Sequence, residues 1–272
     1  MYPELFKIGP ISIRGYGLML TISFLLGVYY VYRVARKNKV PFEPLMTIAY
    51  IMIFSGVIGA RLFYVLFHLE EFHGRWLDTI NPFQSGQVGI AGLNLYGGII
   101  LAVICTFLYI RARRLPLLRT LDLFAPTVGI GLMFTRVGCF LNGCCFGVPT
   151  ELPWGVVFPP ESIPYYIFGD AHLHPTQLYS SLYGLLLLLV LHWRLQHKLF
   201  DGQVLALFFM IEAAFRFFIE YVRYYESEMH FTLDGIQPTY NQLIALVLFL
   251  AGLILYIKLN RRTPAKAMTP DK

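Results

Sequence analysis

Seven stretches of this 272-residue chain are apolar over about the length that a helix needs to cross a lipid bilayer. A spanning helix requires roughly 20 mostly apolar residues, because about 30 Å of hydrocarbon is covered at 1.5 Å per residue. The stretches are residues 16–33, 45–67, 89–110, 120–141, 177–195, 203–222 and 240–258. They predict an all-α, polytopic membrane protein with seven transmembrane helices.

Composition excludes several other classes of protein. Hydrophobic residues make up 57% of the chain and charged residues only 14%, whereas a soluble domain carries about 25% charged residues. The formal net charge is +6, but Lys and Arg lie beside apolar segments rather than in one run, so we expect no nucleic-acid partner. The simplest organisation is a single membrane domain, residues 1–260, followed by a short polar tail, residues 261–272.

The positions of Lys and Arg predict the orientation. Four short loops are basic, and they follow the first, third, fifth and seventh predicted spans, near residues 33–39, 111–119, 194–198 and 258–262. Because short basic loops are cytoplasmic, we expect the carboxyl terminus in the cytoplasm and the amino terminus outside. The longer, acidic loops, near residues 68–88, 142–176 and 223–239, then face outward. Residues 1–13 lack the features of a cleavable signal peptide, so we expect the first span to be an anchor.

Charged side chains inside the predicted spans are the strongest functional signal, because they are costly at membrane depth and usually face a cavity. Those placed near the outer side are Arg61, Arg136, Arg216 and Glu220, with Arg223 at the outer edge of the sixth span, whereas Asp122 lies near the inner end of the fourth. The arginines outnumber the nearby acids and their forked donors match phosphate oxygens, so we predict that they bind a phospholipid head group. The alternative is structural, since Glu212, Arg216, Glu220 and Arg223 are spaced to share one helical face where Glu–Arg pairs hold helices together.

The densest polar pattern is Thr-Arg-Val-Gly-Cys-Phe-Leu-Asn-Gly-Cys-Cys-Phe-Gly, residues 135–147. Arg136, Cys139 and Gly143 are spaced to share a helical face, and the glycine-rich exit that continues to Gly147 suits a loop whose backbone approaches a ligand. His174 precedes a proline that can open the fifth span, and it is either a ligand or an interfacial residue. Tyr16 and Tyr96 bring further polar groups to the same outer depth.

Together, these segments resemble bacterial prolipoprotein diacylglyceryl transferases. Individually most of the matching motifs are weak, but their order, spacing and seven-span context are specific. The matches run along nearly the whole chain, at residues 13–19, 59–64, 95–98, 122–126, 136–143, 174–179, 215–220 and 241–242.

The resemblance implies a multi-pass enzyme of the bacterial inner membrane. It implies transfer of an sn-1,2-diacylglyceryl group from phosphatidylglycerol to the lipobox cysteine thiol of a preprolipoprotein, with release of glycerol 1-phosphate. Positioned arginines would stabilise the charge that grows on the leaving phosphate, and a nearby base or positive potential would favour the thiolate. No cofactor and no metal are implied.

The resemblance also implies roles for individual residues. Arg136 and Arg216 match arginines that are essential in the family, and Tyr16 and Asn142 match positions that are important there. The predicted catalytic residues are Arg136, Arg216, Tyr96 and Tyr16. The predicted phosphatidylglycerol-binding residues are Arg136, Arg61, Asn142, Gly143, Gly147, Arg216, Glu220, Arg223 and His174.

Three departures make this an atypical member with a cysteine-containing signature. Tyr96 stands where many members have His, and Cys139 and Cys144 stand where the usual signature has Asn and Glu. The alternatives are therefore a related enzyme with a different acceptor, a phospholipid transporter, or a non-catalytic assembly factor on the same fold.

Cys139, Cys144 and Cys145 have several possible roles. Their spacing is not that of a standard zinc site, and zinc would need a further ligand such as His172 or His174. A disulfide, unpaired thiols in place of the family's polar residues, and a covalent lipidated intermediate remain open. Cys105 lies in the middle of an apolar span and is expected to be inert packing.

Overall fold

The computed structural model describes residues 4–8, 11–38, 40–74, 76–79, 92–225 and 238–262. These residues fall into two compact units. The larger unit contains Gly15–Gly27 and the described residues from Leu121 onward, and the smaller unit contains Glu4–Arg14 and the described residues of Val28–Thr120.

The smaller unit begins with a hairpin that the apolar pattern does not predict. Strands β1 (Glu4–Ile8) and β2 (Ile11–Arg14) pair antiparallel and lead into α1. The further elements of this unit are the part of α1 (Gly15–Lys37) from Val28 onward, α2 (Phe42–Phe67), α3 (Leu69–Phe72), a 3₁₀ turn (Trp76–Thr79) and α4 (Leu95–Ala112). Helices α2 and α4 approach closely at Gly98, where an added Cβ would lie 2.8 Å from the Gly56 carbonyl oxygen. Gly98 therefore allows close packing of the two helices.

The larger unit is helical. Its elements are the first half of α1, α5 (Leu117–Asn142) from Leu121, α6 (Ile163–Phe168), α7 (Thr176–Gln196), α8 (Gln203–Ile219) and α9 (Tyr240–Arg262). Small residues again set the helix spacing, because a Cβ on Gly129 of α5 would lie 2.7 Å from the Gly184 carbonyl oxygen of α7.

Asp122 connects three parts of the larger unit. Its carboxylate is fully buried and accepts hydrogen bonds from Lys198 Nζ at 2.9 Å, from the Gly202 amide at 2.8 Å and from the Leu205 amide at 2.9 Å. The two amides belong to the first turn of α8, where backbone donors lack helical partners. Asp122 on α5 therefore caps α8 and neutralises the lysine that follows α7.

Six described helices are long and apolar enough to cross a membrane, judged by length and composition. They are α1, α2, α4, α5, α7 and α9, with 18 to 26 residues each. Helix α8, the sixth predicted span, has 17 residues. The multi-pass, helical architecture is thus confirmed, whereas the count of seven and the orientation stay predictions. The third span was predicted from residue 89, but α4 begins at Leu95, and residues 80–91 lie outside the described part of the chain.

The predicted outer loop 142–176 contains regular structure. Leu173 pairs with Val156 through hydrogen bonds in both directions, each 3.0 Å long. Leu173, Phe146 and Phe158 form a small buried hydrophobic cluster. This cluster forms a small core within the segment between α5 and α7. The predicted site residues Gly147 and His174 follow Phe146 and Leu173 directly in the chain.

Candidate functional site

Arg136 lies on α5, near the end of that helix, and is half-buried. Its positive charge acts on Tyr16, Cys145 and Glu212. Among the residues that the structure describes, none forms a hydrogen bond or an ion pair with its guanidinium group. Five donors on a half-buried cation are therefore available for an anion.

Tyr16 lies beside α5 because Gly138 leaves room for it. A Cβ on Gly138 would lie 3.1 Å from both Cα and Cδ2 of Tyr16. The tyrosine ring is 40% exposed, so it is accessible from outside the protein. Tyr16 and Arg136 were both predicted to be catalytic residues, and they belong to different helices. The structure thus places them near each other.

The chain turns sharply after Asn142, the last residue of α5. Gly143 and Cys145 both have positive φ, at 75° and 61°, a conformation that glycine adopts readily and other residues rarely. The turn is fixed from α7, since Thr176 Oγ1 donates to the Cys145 carbonyl at 2.7 Å and Gln177 Nε2 donates to the Cys144 carbonyl at 2.8 Å. Thr176 and Gln177 are buried.

The three cysteines converge at this turn. The Sγ atoms of Cys139, Cys144 and Cys145 lie within 4.8 Å of one another, and all three thiols are free. Hydrogen bonds from the other two thiols, together with the charges of Arg223 and Arg136, hold the pKa of Cys145 below its usual range although burial opposes this shift. The described cysteines thus form no disulfide, and they form a cluster of thiols beside two arginines.

Arg216 and Glu220 belong to a polar network at the end of α8. Glu220 is buried and accepts hydrogen bonds from Tyr225 Oη at 2.8 Å, from Thr239 Oγ1 at 2.9 Å and from Asn241 Nδ2 at 3.2 Å. Arg216 Nε lies 3.5 Å from Glu220 Oε1. Glu220 therefore joins α8 to the start of α9, and Arg216 lies at the edge of this network.

The predicted helical face does not reach Arg223. Helix α8 ends at Ile219, and Arg223 pairs through its backbone with Gly147 instead. The helix ends because the main chain of the next residues forms hydrogen bonds with the segment between α5 and α7. One of these bonds runs from the Val148 amide to the Val222 carbonyl, at 3.0 Å. The Arg223 guanidinium lies over the Tyr225 ring at 4.9 Å, and its buried Nε has no hydrogen-bond partner among the described residues.

Gly147 and His174 are neighbours in the outer segment. The Gly147 amide donates to the His174 carbonyl at 3.0 Å, and a Cβ on Gly147 would lie 2.5 Å from His174 Cβ. His174 Nδ1 lies 3.3 Å from Tyr179 Oη, which accepts a hydrogen bond from Trp154 Nε1 at 2.7 Å. Gly147 is thus needed for close backbone approach, and the His174 ring is engaged within the outer segment.

Arg61 and Tyr96 belong to the smaller unit. Arg61 donates from Nε to the Thr79 carbonyl at 2.8 Å and from Nη1 to the Gly92 carbonyl at 3.2 Å. Tyr96 is 62% exposed in the first turn of α4, which Asn94 caps. The Arg61 guanidinium also lies over the rings of Tyr64 and Phe72, at 5.7 and 5.2 Å. Arg61 and Tyr96 both remain predicted site residues.

Sequence reasoning missed Tyr225 and Thr239. Tyr225 contacts Glu220, Arg216 and Arg223, and Thr239 binds Glu220. Glu220 could have indicated that such residues exist, because a buried carboxylate requires several hydrogen-bond donors.

Comparisons with known proteins identify the family of this chain. The family model "Prolipoprotein diacylglyceryl transferase" matches residues 3–258. Three similar proteins are named phosphatidylglycerol–prolipoprotein diacylglyceryl transferase. That of Clostridium tetani is 33% identical over 223 residues, covering 82% of this chain and 86% of the relative. Those of Bordetella avium and Campylobacter hominis are each 31% identical and cover 96% and 97% of this chain and 96% and 94% of the relatives. The chain belongs to the prolipoprotein diacylglyceryl transferase family.

Proposed function

We propose that this membrane transferase moves the sn-1,2-diacylglyceryl group of phosphatidylglycerol to the lipobox cysteine thiol of a preprolipoprotein. The names of its relatives support phosphatidylglycerol and a prolipoprotein as the two substrates. The proposal adds that the acceptor is a signal peptide with a lipobox and that the products are a thioether and glycerol 1-phosphate.

The observation that carries this proposal is the unengaged guanidinium of Arg136. A half-buried arginine without a protein partner is costly unless an anion completes its hydrogen bonds. Arg223 supports the same conclusion, because its buried Nε also lacks a partner among the described residues. The charges of Arg136 and Arg223 both lower the pKa of the Cys145 thiol. The two arginines therefore form a positive region suited to a lipid phosphate.

The chemistry follows from this positive region. The acceptor sulfur forms a bond to the terminal glyceryl carbon, and the bond from that carbon to the phosphate oxygen breaks. The electron pair leaves with glycerol 1-phosphate, and the thiol proton passes to solvent as the thiolate forms. Negative charge therefore grows on the phosphate oxygen, where Arg136 and Arg223 would stabilise it more in the transition state than in the substrate.

The remaining site residues have supporting roles in this scheme. We assign phosphate contact to Arg216 as well, with Glu220 positioning it. Tyr16 is accessible beside Arg136 and would donate a hydrogen bond to the lipid. The turn at Asn142, Gly143 and Gly147, with His174, would shape the pocket wall. For Arg61 and Tyr96, the roles in lipid binding and catalysis remain those that the resemblance implies.

We further propose seven membrane crossings. Helix α8 is about 26 Å long at 1.5 Å per residue, which is close to the ~30 Å hydrocarbon thickness. The amino terminus would lie outside and the carboxyl-terminal tail, residues 261–272, in the cytoplasm, with residues 1–260 as one domain in the bacterial inner membrane. Reporter fusions after Lys39, Arg114, Lys198 and Lys272 should all give a cytoplasmic signal, and a periplasmic signal at any one would contradict the orientation.

Complementation tests the proposed activity. Cells depleted of their own transferase should grow when they express this chain, and mass spectrometry of a lipobox reporter should show one added diacylglyceryl group. Arg136→Lys, expressed at the same level, is the matched control and should restore little modification. Abundant, folded wild-type protein without reporter modification would contradict the proposal and would favour a different acceptor.

A further inference from the structure

The thiols of Cys139, Cys144 and Cys145 form a cluster that the proposed transfer reaction does not use. The acceptor thiol belongs to the second substrate, and the phosphate contacts are assigned to arginines. Three free thiols at one turn, brought together by a buried α7 terminus and a residue with positive φ, therefore need a separate explanation.

We propose that Cys139, Cys144 and Cys145 bind one soft metal ion in three-coordinate geometry, with Cu(I) as the occupant. The three Sγ atoms already lie within 4.8 Å of one another. Metal–thiolate bonds of about 2.3 Å would place the sulfurs about 4 Å apart in a trigonal site. Rotation of the cysteine side chains is enough to close this small difference.

The number of ligands favours Cu(I) over zinc. Within the described part of the chain, no His, Asp, Glu or further Cys places a ligand atom in this group. Structural zinc sites are almost always four-coordinate, whereas thiolates are soft ligands that select Cu(I) and three of them satisfy that ion. The sequence spacing alone argues against a standard zinc site, but the folded cluster offers a site of a different kind.

The surrounding charge also suits a metal–trithiolate group. Each thiol gives up its proton to solvent on binding, so one Cu(I) and three thiolates carry a net charge of −2. Arg136 and Arg223, whose charges act on Cys145, supply two positive charges beside it. This balance reduces the cost of burying the anionic group.

The turn is rigid enough to hold such a site. The carbonyls of Cys144 and Cys145 accept hydrogen bonds from the buried Gln177 and Thr176, and Cys139 lies on the last turns of α5 and is buried. Because the backbone of the turn is already fixed, the cysteines lose little conformational entropy when they bind a metal ion. A rigid turn also favours one coordination number. The copper site takes no part in the transfer chemistry, but it lies beside Arg136 and Arg223, to which phosphate contact is assigned, so copper binding is measured separately from activity.

Copper titration of the full chain in detergent tests the proposal. Anaerobic protein is titrated with Cu(I) against the chelator bicinchoninate, and bound copper is measured. We expect about one ion per chain, with X-ray absorption showing about three sulfurs near 2.3 Å. Ser substitution of Cys139, Cys144 or Cys145 should weaken Cu(I) binding by more than the roughly 10- to 100-fold that loss of an outer-shell partner costs.

Cys105→Ser is the matched control, because this cysteine lies on α4 in the smaller unit, and it should leave the affinity unchanged. The wild-type absorption spectrum needs no variant and so remains decisive if a serine variant fails to fold, which circular dichroism would detect. Wild-type copper binding no tighter than that of the triple serine variant would overturn the site. A disulfide among the three cysteines in freshly purified protein, or zinc bound with a fourth ligand, would overturn the copper assignment.

Discussion

Arg216 Nε lies 3.5 Å from Glu220 Oε1, one helical turn further along the chain. The same carboxylate also binds Tyr225, Thr239 and Asn241. Arg136, by contrast, forms no hydrogen bond or ion pair within the described residues. The two arginines that the resemblance predicts to be catalytic therefore differ in environment, since Arg216 belongs to a polar network and Arg136 has no hydrogen-bond or ion-pair partner among the described residues.

Lysine substitution of Arg136 and of Arg216 should affect turnover and thermal stability differently. Arg136→Lys keeps the charge but loses the planar fork, so we expect turnover to fall on the order of a hundredfold, about 3 kcal/mol of transition-state stabilisation. Its thermal stability should be nearly unchanged, because no described protein contact is lost. Arg216→Lys should lower both turnover and thermal stability, since it also disturbs the contacts with Glu220 and Tyr225. Activity per folded molecule is the measurement, and near-normal turnover of Arg136→Lys would defeat the phosphate role.

Asp122 and Asp201 allow a buried and an exposed ion pair to be compared on one lysine. Both carboxylates bind Lys198, at 2.9 and 2.7 Å, but the Asp122 side chain is fully buried whereas that of Asp201 is 51% exposed. Asp122→Asn removes the buried carboxylate that binds Lys198, whose side chain is 20% exposed, and leaves the α8 amides poorly matched. We therefore expect a loss of about 3 kcal/mol of stability. Asp201→Asn should cost at most about 1 kcal/mol. Thermal unfolding in detergent measures both, and equal losses would contradict the capping role of Asp122.

Tyr225 should give stability a pH dependence in the alkaline range. Burial, together with the hydrogen bond to Glu220, raises the pKa of Tyr225 to about 12, whereas an unfolded tyrosine has a pKa of about 10. Because the folded state holds the proton more tightly, this contribution is fully present below about pH 10 and is lost as the pH rises towards 12.

The difference in unfolding temperature between wild type and Tyr225→Phe should therefore narrow between pH 10 and 12. Tyr166→Phe, which removes a hydroxyl from a 91% exposed side chain, is the control and should show no such narrowing. A constant difference for Tyr225→Phe across this range would mean that its hydroxyl does not stabilise the network.

The sequence predicted those features that arise from local patterns. Apolar length identified the helices, and the glycine-rich exit of α5 predicted a turn that the structure realises with positive φ at Gly143. Arg136 and Tyr16 were expected at similar depth, and packing at Gly138 brings them together. These predictions depended on helical geometry alone.

Other features of the fold and of the site could not be predicted, because they depend on contacts between segments that are distant in the sequence. Arg223 was assigned to the helical face of α8 from its spacing, but main-chain hydrogen bonds with residues 146–148 end the helix before it. The hydrogen bonds from Thr176 and Gln177 to the cysteine turn join residues more than 30 positions apart. Neither the convergence of the three thiols nor the role of Tyr225 follows from any local pattern.

Substitution of Gly147 should also destabilise the protein, because other atoms enclose the backbone at this residue. A Cβ there would lie 2.5 Å from the Val222 carbonyl oxygen and 2.5 Å from His174 Cβ, and neither atom can move without breaking the hydrogen bonds of the outer segment. Gly147→Ala should therefore cost about 1–3 kcal/mol, the usual cost of overpacking. It should also lower turnover, since Arg223 pairs with this residue through its backbone.

Gly17→Ala is the matched control for Gly147→Ala. Gly17 lies on α1 near Tyr16, and a Cβ there meets no atom within 4 Å. Alanine is also the better helix former, so this variant should be at least as stable as wild type. Limited proteolysis between α5 and α7, with unfolding temperature, measures both variants. If Gly147→Ala were as resistant to cleavage as Gly17→Ala, the outer segment could not depend on close backbone approach at residue 147, and Arg223 would have to be positioned by its ring contact with Tyr225 alone.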